Sequence, residues 1–202
     1  MRLLVTGAAG MLGRDVLRAG ERAGYELVGL DRAELDISEA SAVESALDRV
    51  APDALVNCAA WTDVDGAESH AEEAHMVNAD GAGNLARAAA AAQVKLVHVS
   101  TDYVFTGDAL LDDSGAPRPY VESDRTGPRS VYGETKLKGE LQVLAAARNH
   151  AVVRSSWLFG IDGHNFVATM LRLAGVRDAS RSSLTRSAVP PGPAISRPRC
   201  SG

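Results

Sequence analysis

Cysteine is scarce in this 202-residue chain, with Cys58 in an apolar run and Cys200 near the end. Two cysteines so far apart build no disulfide framework, and a reducing cytoplasm is the expected setting. Basic residues are in deficit, 21 Lys and Arg against 26 Asp and Glu, for a formal net charge of -5. Aromatics make up only 4% of the chain, and no Lys/Arg stripe interleaves with them. That balance argues against a nucleic-acid partner. No apolar run is long enough to span a bilayer, and no charged-then-apolar leader follows Met1, so neither a membrane nor a secretory role is expected. What is present is a 46% apolar composition, enough for the core of one domain.

The most informative stretch is Leu3–Gly13. An apolar run suited to a buried strand leads into Gly7, Gly10 and Gly13, spaced three apart as a helical pattern begins. Each glycine has a physical use in a dinucleotide site: a sharp turn off the strand, bare backbone beside a pyrophosphate, and close packing of helix on sheet. The free N–H groups and dipole of the helix start favour an anion. A plain glycine turn has the same letters. Position at the head of a strand–helix alternation raises the dinucleotide reading above it.

The alternation continues along the chain. Met11 to Gly24 reads as a helix closed by glycine, and Glu26 to Leu30 as a second strand ending in Asp31-Arg32. Asp31 falls where a ribose-binding carboxylate belongs, whereas Arg32 suits a 2′-phosphate, so NAD and NADP both stay open. A brief strand is expected at Glu34 to Asp36, then a helix capped by Ser38 and running to Val50, then a strand over Ala54 to Ala60. Helical sequence follows through Glu68 to Met76 and from Asn78 to Ala92. His70 and His75 are five apart and do not share a helix face as a metal-binding pair would, so no metal is expected. Val94 to Val99 is the next strand, Thr106 to Pro128 a long loop, and Ser130 to Arg148 a strong helix. A strand over His150 to Ser155, a loop over Trp157 to Gly163 and a helix from Asn165 to Ala174 complete the pattern. The sum is an α/β fold, a doubly wound parallel sheet.

Tyr132 and Lys136 lie four apart, hence on one helix face, and an ammonium near the phenol is expected to lower its pKa into a range useful for proton exchange. Thr101, at the end of the preceding strand, can donate a hydrogen bond to a carbonyl that Tyr132 protonates while a nicotinamide delivers hydride.

These features in this order resemble the extended short-chain dehydrogenase/reductases. Ser100-Thr-Asp-Tyr-Val-Phe105, Tyr132-Gly-Glu-Thr-Lys136, Ser156-Trp-Leu-Phe-Gly160 and Asn165-Phe-Val-Ala-Thr-Met-Leu171 closely resemble the dTDP-4-dehydrorhamnose reductases, over residues 1 to about 176. The resemblance implies reduction of the 4-keto group of dTDP-4-dehydro-6-deoxy-L-mannose with NADPH or NADH. It implies Thr101, Tyr132 and Lys136 as the catalytic trio. Gly7, Gly10, Met11, Leu12 and Gly13 would hold the pyrophosphate, and Asp31 and Arg32 the adenosine ribose side. Asp36 and Ile37 would border the adenine, and Ala60, Trp61 and Thr62 the nicotinamide. Asp102 and Trp157 would join Thr101 at the substrate, although an aromatic such as Trp157 can equally pack under a loop. Two other readings stay open: another dTDP-4-keto-6-deoxysugar reductase, and a non-catalytic NADP-binding regulatory subunit such as that of methionine adenosyltransferase. A homodimer is compatible with either.

The chain departs from that family near its end. Residues 177–202 hold four of the eight prolines and five basic residues against one acid, leaving 16 basic and 25 acidic residues before them. The expected division is therefore a dinucleotide-binding domain over 1–176 and an irregular tail over 177–202, with the substrate domain largely missing. The tail is expected to arise from a reading-frame shift. One permitted set of codons for Arg181 to Ser196, read from its third base, gives Val-Val-Thr-Asp-Glu-Val-Gly, like the family's next segment. Cofactor binding with little turnover is the expectation for such a chain, and the third alternative is a non-functional product.

Overall fold

The computed structural model describes residues 1–163 and 165–174. The expected tail and the end of the first expected domain lie outside the described residues. Leu3, Leu4 and Val5 are buried in β1 (Arg2–Thr6), and the chain then turns at Gly7, whose φ of 68° places it in the left-handed region. A side chain there would be strained, and its Cβ would sit 2.6 Å from the Ala59 amide nitrogen. Helix α1 (Met11–Arg22) follows and is closed by Gly24, at φ 76°. Strand β2 (Glu26–Leu30) has the expected bounds.

No strand forms at Glu34 to Asp36. Asp31 Oδ1 accepts from the amides of Ala33 (2.8 Å) and Glu34 (3.2 Å), and the Leu35 amide bonds back to the Asp31 carbonyl at 2.9 Å. This Asx-type turn takes up the amides that a sheet ladder would need. Nor does Ser38 cap the next helix: its hydroxyl donates to Asp36 Oδ1 at 2.7 Å, and α2 (Ala40–Val50) starts one residue later, after Glu39. It ends at Ala51 in the left-handed region, just before Pro52.

Strand β3 (Ala54–Asn57) is shorter than the apolar run suggests. Beyond it come two short helices, α3 (Val64–Ala67) and α4 (Ala71–His75), a π-helical turn over Met76–Gly81, and α5 (Ala82–Ala91). Strand β4 (Lys95–Thr101) leads into a 3₁₀ turn at Asp102–Val104. The long loop carries a minimal hairpin of β5 (Leu110–Leu111) and β6 (Pro117–Arg118). Helix α6 (Val131–Ala146), β7 (Ala151–Ser155) and α7 (Phe166–Ala174) finish the described chain.

Five strands form one parallel sheet in the order β2-β1-β3-β4-β7. The chain moves outward from β1 to β2, then crosses back past β1 to β3. A crevice opens where that reversal occurs, at the carboxyl ends of the strands. The principal core lies between the sheet and α2, α5 and α6, where Leu4, Leu55, Leu85, Leu96, Val43 and Val143 have no exposed surface. Each such side chain contributes about 1.5–3 kcal/mol through burial. Ala82, Ala86 and Ala89 let α5 lie close to the sheet and to α6. No described helix is long and apolar enough to cross a membrane.

Candidate active site

One cavity of about 740 Å³ opens at the strand ends and is lined by every residue expected at the cofactor or substrate: Gly7, Gly10, Met11, Leu12 and Gly13, Asp31 and Arg32, Asp36 and Ile37, Ala60 to Thr62, Thr101 and Asp102, Tyr132, Lys136 and Trp157. The parallel topology explains this convergence, because the residue after each strand arrives at the same edge.

At one end the glycine turn forms a bare cradle. A Cβ on Gly13 would collide with the Gly7 carbonyl, so α1 lies directly on the turn. Gly10 caps α1 without a side-chain bond, and no acid occupies the first turn, which leaves the helix start available to an anion. Next to it, Asp31 uses Oδ1 to shape the turn after β2, beside an exposed Arg32. Asp36 is held below the usual carboxylate range, chiefly by the Ser38 hydroxyl and amide, with Arg32 adding attraction.

At the other end Ser130 caps α6 by accepting from the Gly133 amide at 3.1 Å. A Cβ on Gly133 would strike the Tyr103 carbonyl, so glycine at this position lets the first turn of α6 press on the 102–104 turn. The Tyr132 ring consequently meets the Tyr103 ring edge-on at 5.4 Å. Burial pushes the Tyr132 phenol above its ordinary 10, a hydrogen bond with Thr101 pulls it back, and Tyr103 and Asp102 push it further up. Thr101 Oγ1 accepts from the Tyr103 amide at 3.2 Å, and its one proton is offered to Asp102 Oδ1, also at 3.2 Å, or to the phenol oxygen.

Lys136 behaves differently from the sequence expectation. Its side chain is 2% exposed, and Nζ donates to the Val99 carbonyl at 2.8 Å and contacts His98 Nε2 at 3.3 Å. The Tyr132 phenol is raised, chiefly by burial, rather than lowered as expected from the nearby ammonium. Burial instead lowers Lys136 to about 8, against the attraction of Glu140 and Cys58. Burial also pushes the Cys58 thiol up to about 11. Helical spacing put Tyr132 and Lys136 on one face, but the long lysine chain follows the acceptors on β4.

Trp157 lines the cavity at φ 55°, remains 44% exposed and meets the Phe166 ring edge-on at 5.3 Å. Its loop lies against the start of α1: Asp162 pairs with Arg18 at 2.6 Å, and a Cβ on Gly160 would come 2.9 Å from Asp15. Elsewhere, His75 bonds to Asp80 at 3.3 Å and His70 stacks on Trp61. Among the described residues no group of three His, Cys, Asp or Glu is placed to hold a metal.

Three contributors were not singled out from the sequence. Asn78, in the π-helical turn, accepts from the Trp61 amide at 2.9 Å and donates to the Trp61 carbonyl (3.2 Å) and to Thr135 Oγ1 (3.1 Å). It thereby ties the 60–62 wall to α6. His98 and Asn57 form a buried contact behind Lys136. Their only sequence signal is a polar letter inside an apolar strand pattern.

The family model described as RmlD substrate binding domain matches residues 1–185. A dTDP-4-dehydrorhamnose reductase of Sinorhizobium fredii is 47% identical over 178 residues, covering 88% of this chain and 57% of that protein. The crystal structure of a dTDP-4-dehydrorhamnose reductase from Clostridium acetobutylicum superposes with a TM-score of 0.82 at 40% identity, covering 88% of this chain and 61% of that one. The Bacillus anthracis enzyme, solved in complex with NADP, gives a TM-score of 0.79 at 38% identity, covering 87% and 60%. The chain thus spans roughly three fifths of the length of these relatives. With this fold, this cavity and this match, the chain belongs to the RmlD substrate binding domain family.

Proposed function

We propose that this chain is the cofactor-binding and proton-donating part of an NAD(P)H-dependent dTDP-4-dehydrorhamnose reductase, acting in dTDP-L-rhamnose formation in the cytoplasm. The observation that carries this reading is the meeting, in one cavity, of a side-chain-free helix start with Thr101, Tyr132 and Lys136. A dinucleotide fits the residues present. The cradle at Gly7 and Gly13 admits no Cβ, and the buried Ser100 hydroxyl on the cavity wall has no hydrogen-bond partner among the described residues. Relatives named as this reductase, one solved with NADP, support the same choice.

When bound, the nicotinamide supplies the hydride. The amides that open α1 bind the pyrophosphate, Asp31 accepts from the adenosine ribose, and Arg32 reaches a 2′-phosphate when one is present. Asp36 and Ile37 border the adenine, while Ala60 to Thr62, held by Asn78, form the wall beside the nicotinamide. Thr101 orients the substrate's 4-keto oxygen by hydrogen bonding. Tyr132, kept protonated by burial at neutral pH, gives its proton to that oxygen as charge develops there. Lys136 presents an N–H to the nicotinamide ribose. Asp102 and Trp157 contact the sugar. This chain covers about three fifths of these relatives, and further substrate contacts would come from the part of such proteins that it does not match.

Residues 1–176 fused to the remainder of the Sinorhizobium fredii relative provide the test. NADPH oxidation dependent on dTDP-4-dehydrorhamnose is expected. Cofactor binding without turnover on any dTDP-4-keto-6-deoxysugar would favour a regulatory subunit instead.

A further inference from the structure

A buried line of polar side chains crosses three strands behind the cavity and ends on Lys136. Thr6 Oγ1 on β1 donates to Asn57 Oδ1 on β3 at 2.7 Å, Asn57 Nδ2 meets His98 Nδ1 on β4 at 2.9 Å, and His98 Nε2 meets Lys136 Nζ on α6 at 3.3 Å. Thr6, Asn57, His98 and Lys136 are each no more than 2% exposed. Such a line inside an apolar sheet costs stability unless every donor faces an acceptor.

Donor and acceptor roles along it are fixed from one end. The Ala59 amide can only donate, and it donates to Asn57 Oδ1 at 3.0 Å. The Asn57 amide therefore cannot be flipped, and its Nδ2 must donate to His98 Nδ1. A nitrogen that accepts carries no proton, so neutral His98 bears its proton on Nε2, aimed at Lys136. Burial alone depresses His98 well below its ordinary range, and the ammonium form of Lys136 would depress it further, so the ring is neutral in either state of Lys136.

An ammonium at Nζ would set N–H against N–H. A free amine has two N–H donors and one lone pair, and the geometry accounts for them: one N–H to the Val99 carbonyl at 2.8 Å, the lone pair to His98, and one N–H left for the cavity that Lys136 lines. The other ionisable groups around Nζ are Glu140, one turn along α6, and Cys58, at the end of β3; both favour the ammonium. Glu140 is already neutralised by a two-pronged pair with Arg154 of β7, its shortest contact being 2.7 Å.

We propose that His98 is the positioning residue for Lys136: held by Asn57 in the tautomer protonated on Nε2, it donates to the lone pair of Nζ whenever Lys136 is a free amine, and so favours the amine over the ammonium and turns it to the cavity. Protonation of Lys136 then breaks the His98 bond, so the charge of Lys136 and its position change together. This deepens the reductase reading, in which Lys136 serves the cofactor ribose. The relay itself is a property of the chain alone.

The test is nuclear magnetic resonance of the full 202-residue chain labelled in histidine and lysine nitrogen, with no cofactor added. His98 should show its proton on Nε2 and a bare Nδ1 at neutral pH; a proton on Nδ1, or on both nitrogens, overturns the proposal. In a His98→Leu chain, loss of the bond to the amine should raise the proton affinity of Lys136 about tenfold, equivalent to about 1.4 kcal/mol. A fall, or no change, would mean that His98 accepts from Lys136 or does not act on it. The tautomer is read in the unaltered chain and survives a variant that does not fold. Neither readout involves turnover, so failure of the reductase assay and failure of the relay are separate results.

Discussion

Replacing Lys136 with methionine should reverse its effect on stability between neutral and alkaline pH. Lys136 sits at about 8 in the folded chain against an ordinary 10.5, so between those values the unfolded chain binds the extra proton and stability rises with pH. Below about pH 8 the folded protein carries the whole penalty of the buried amine, roughly 3 kcal/mol for that gap. Methionine matches the unbranched stem and removes the penalty, but it deserts the Val99 carbonyl and the His98 N–H, at about 1 kcal/mol each. The variant should therefore be about 1 kcal/mol more stable than the parent at pH 7 and about 2 kcal/mol less stable near pH 10.5. Cys58, raised to about 11, and Tyr132, also raised, lose stability over the same alkaline range, but both chains share them and the difference cancels their effect. Urea unfolding of both chains at the two pH values, followed by circular dichroism, measures this. A difference that stays constant with pH would refute the buried, depressed Lys136.

Other perturbations have equally definite outcomes. Gly13→Ala drives a methyl into the Gly7 carbonyl and should abolish NADPH binding, measured calorimetrically, because α1 can no longer rest on the turn. Arg154→Ala leaves Glu140, 1% exposed, without its partner and should cost about 3–5 kcal/mol of unfolding free energy at pH 7. Arg32→Ala should weaken NADPH binding while leaving NADH binding nearly unchanged; equal losses for the two would remove Arg32 from the 2′-phosphate.

Much of this molecule is legible in its sequence, for physical reasons that differ by region. Gly7, Gly10 and Gly13 announce the first turn because only glycine tolerates that backbone and that closeness. Ser130 and the helical pattern after it announce α6 because capping is local. The Glu34–Asp36 segment is misread as a strand because Asp31 captures its amides, a competition between side chain and sheet that alternation cannot reveal. Ser38 is misread as a cap because Asp36 takes its hydroxyl. The lowering of the Tyr132 phenol expected from Lys136 does not occur, because helix geometry fixes where Cβ points, while Nζ is drawn to Val99 and His98 across the sheet. Asn57 and His98 escape notice because their meaning lies in strand pairing, with residue 57 opposite residue 98 in the β3–β4 register. Asn78 is hidden for a similar reason: its partners are Trp61, on a loop 17 residues earlier, and Thr135, 57 residues later.

The most direct trial of the proposed chemistry is NADPH oxidation with dTDP-4-dehydrorhamnose, comparing the fused full-length chain with its Tyr132→Phe form. Phenylalanine keeps the ring against Tyr103 and removes only the transferable proton. We expect NADPH affinity to be retained and turnover to fall by about 10²–10⁴-fold, the usual contribution of a positioned general acid. Full turnover in the Tyr132→Phe form would contradict Tyr132 as the proton donor.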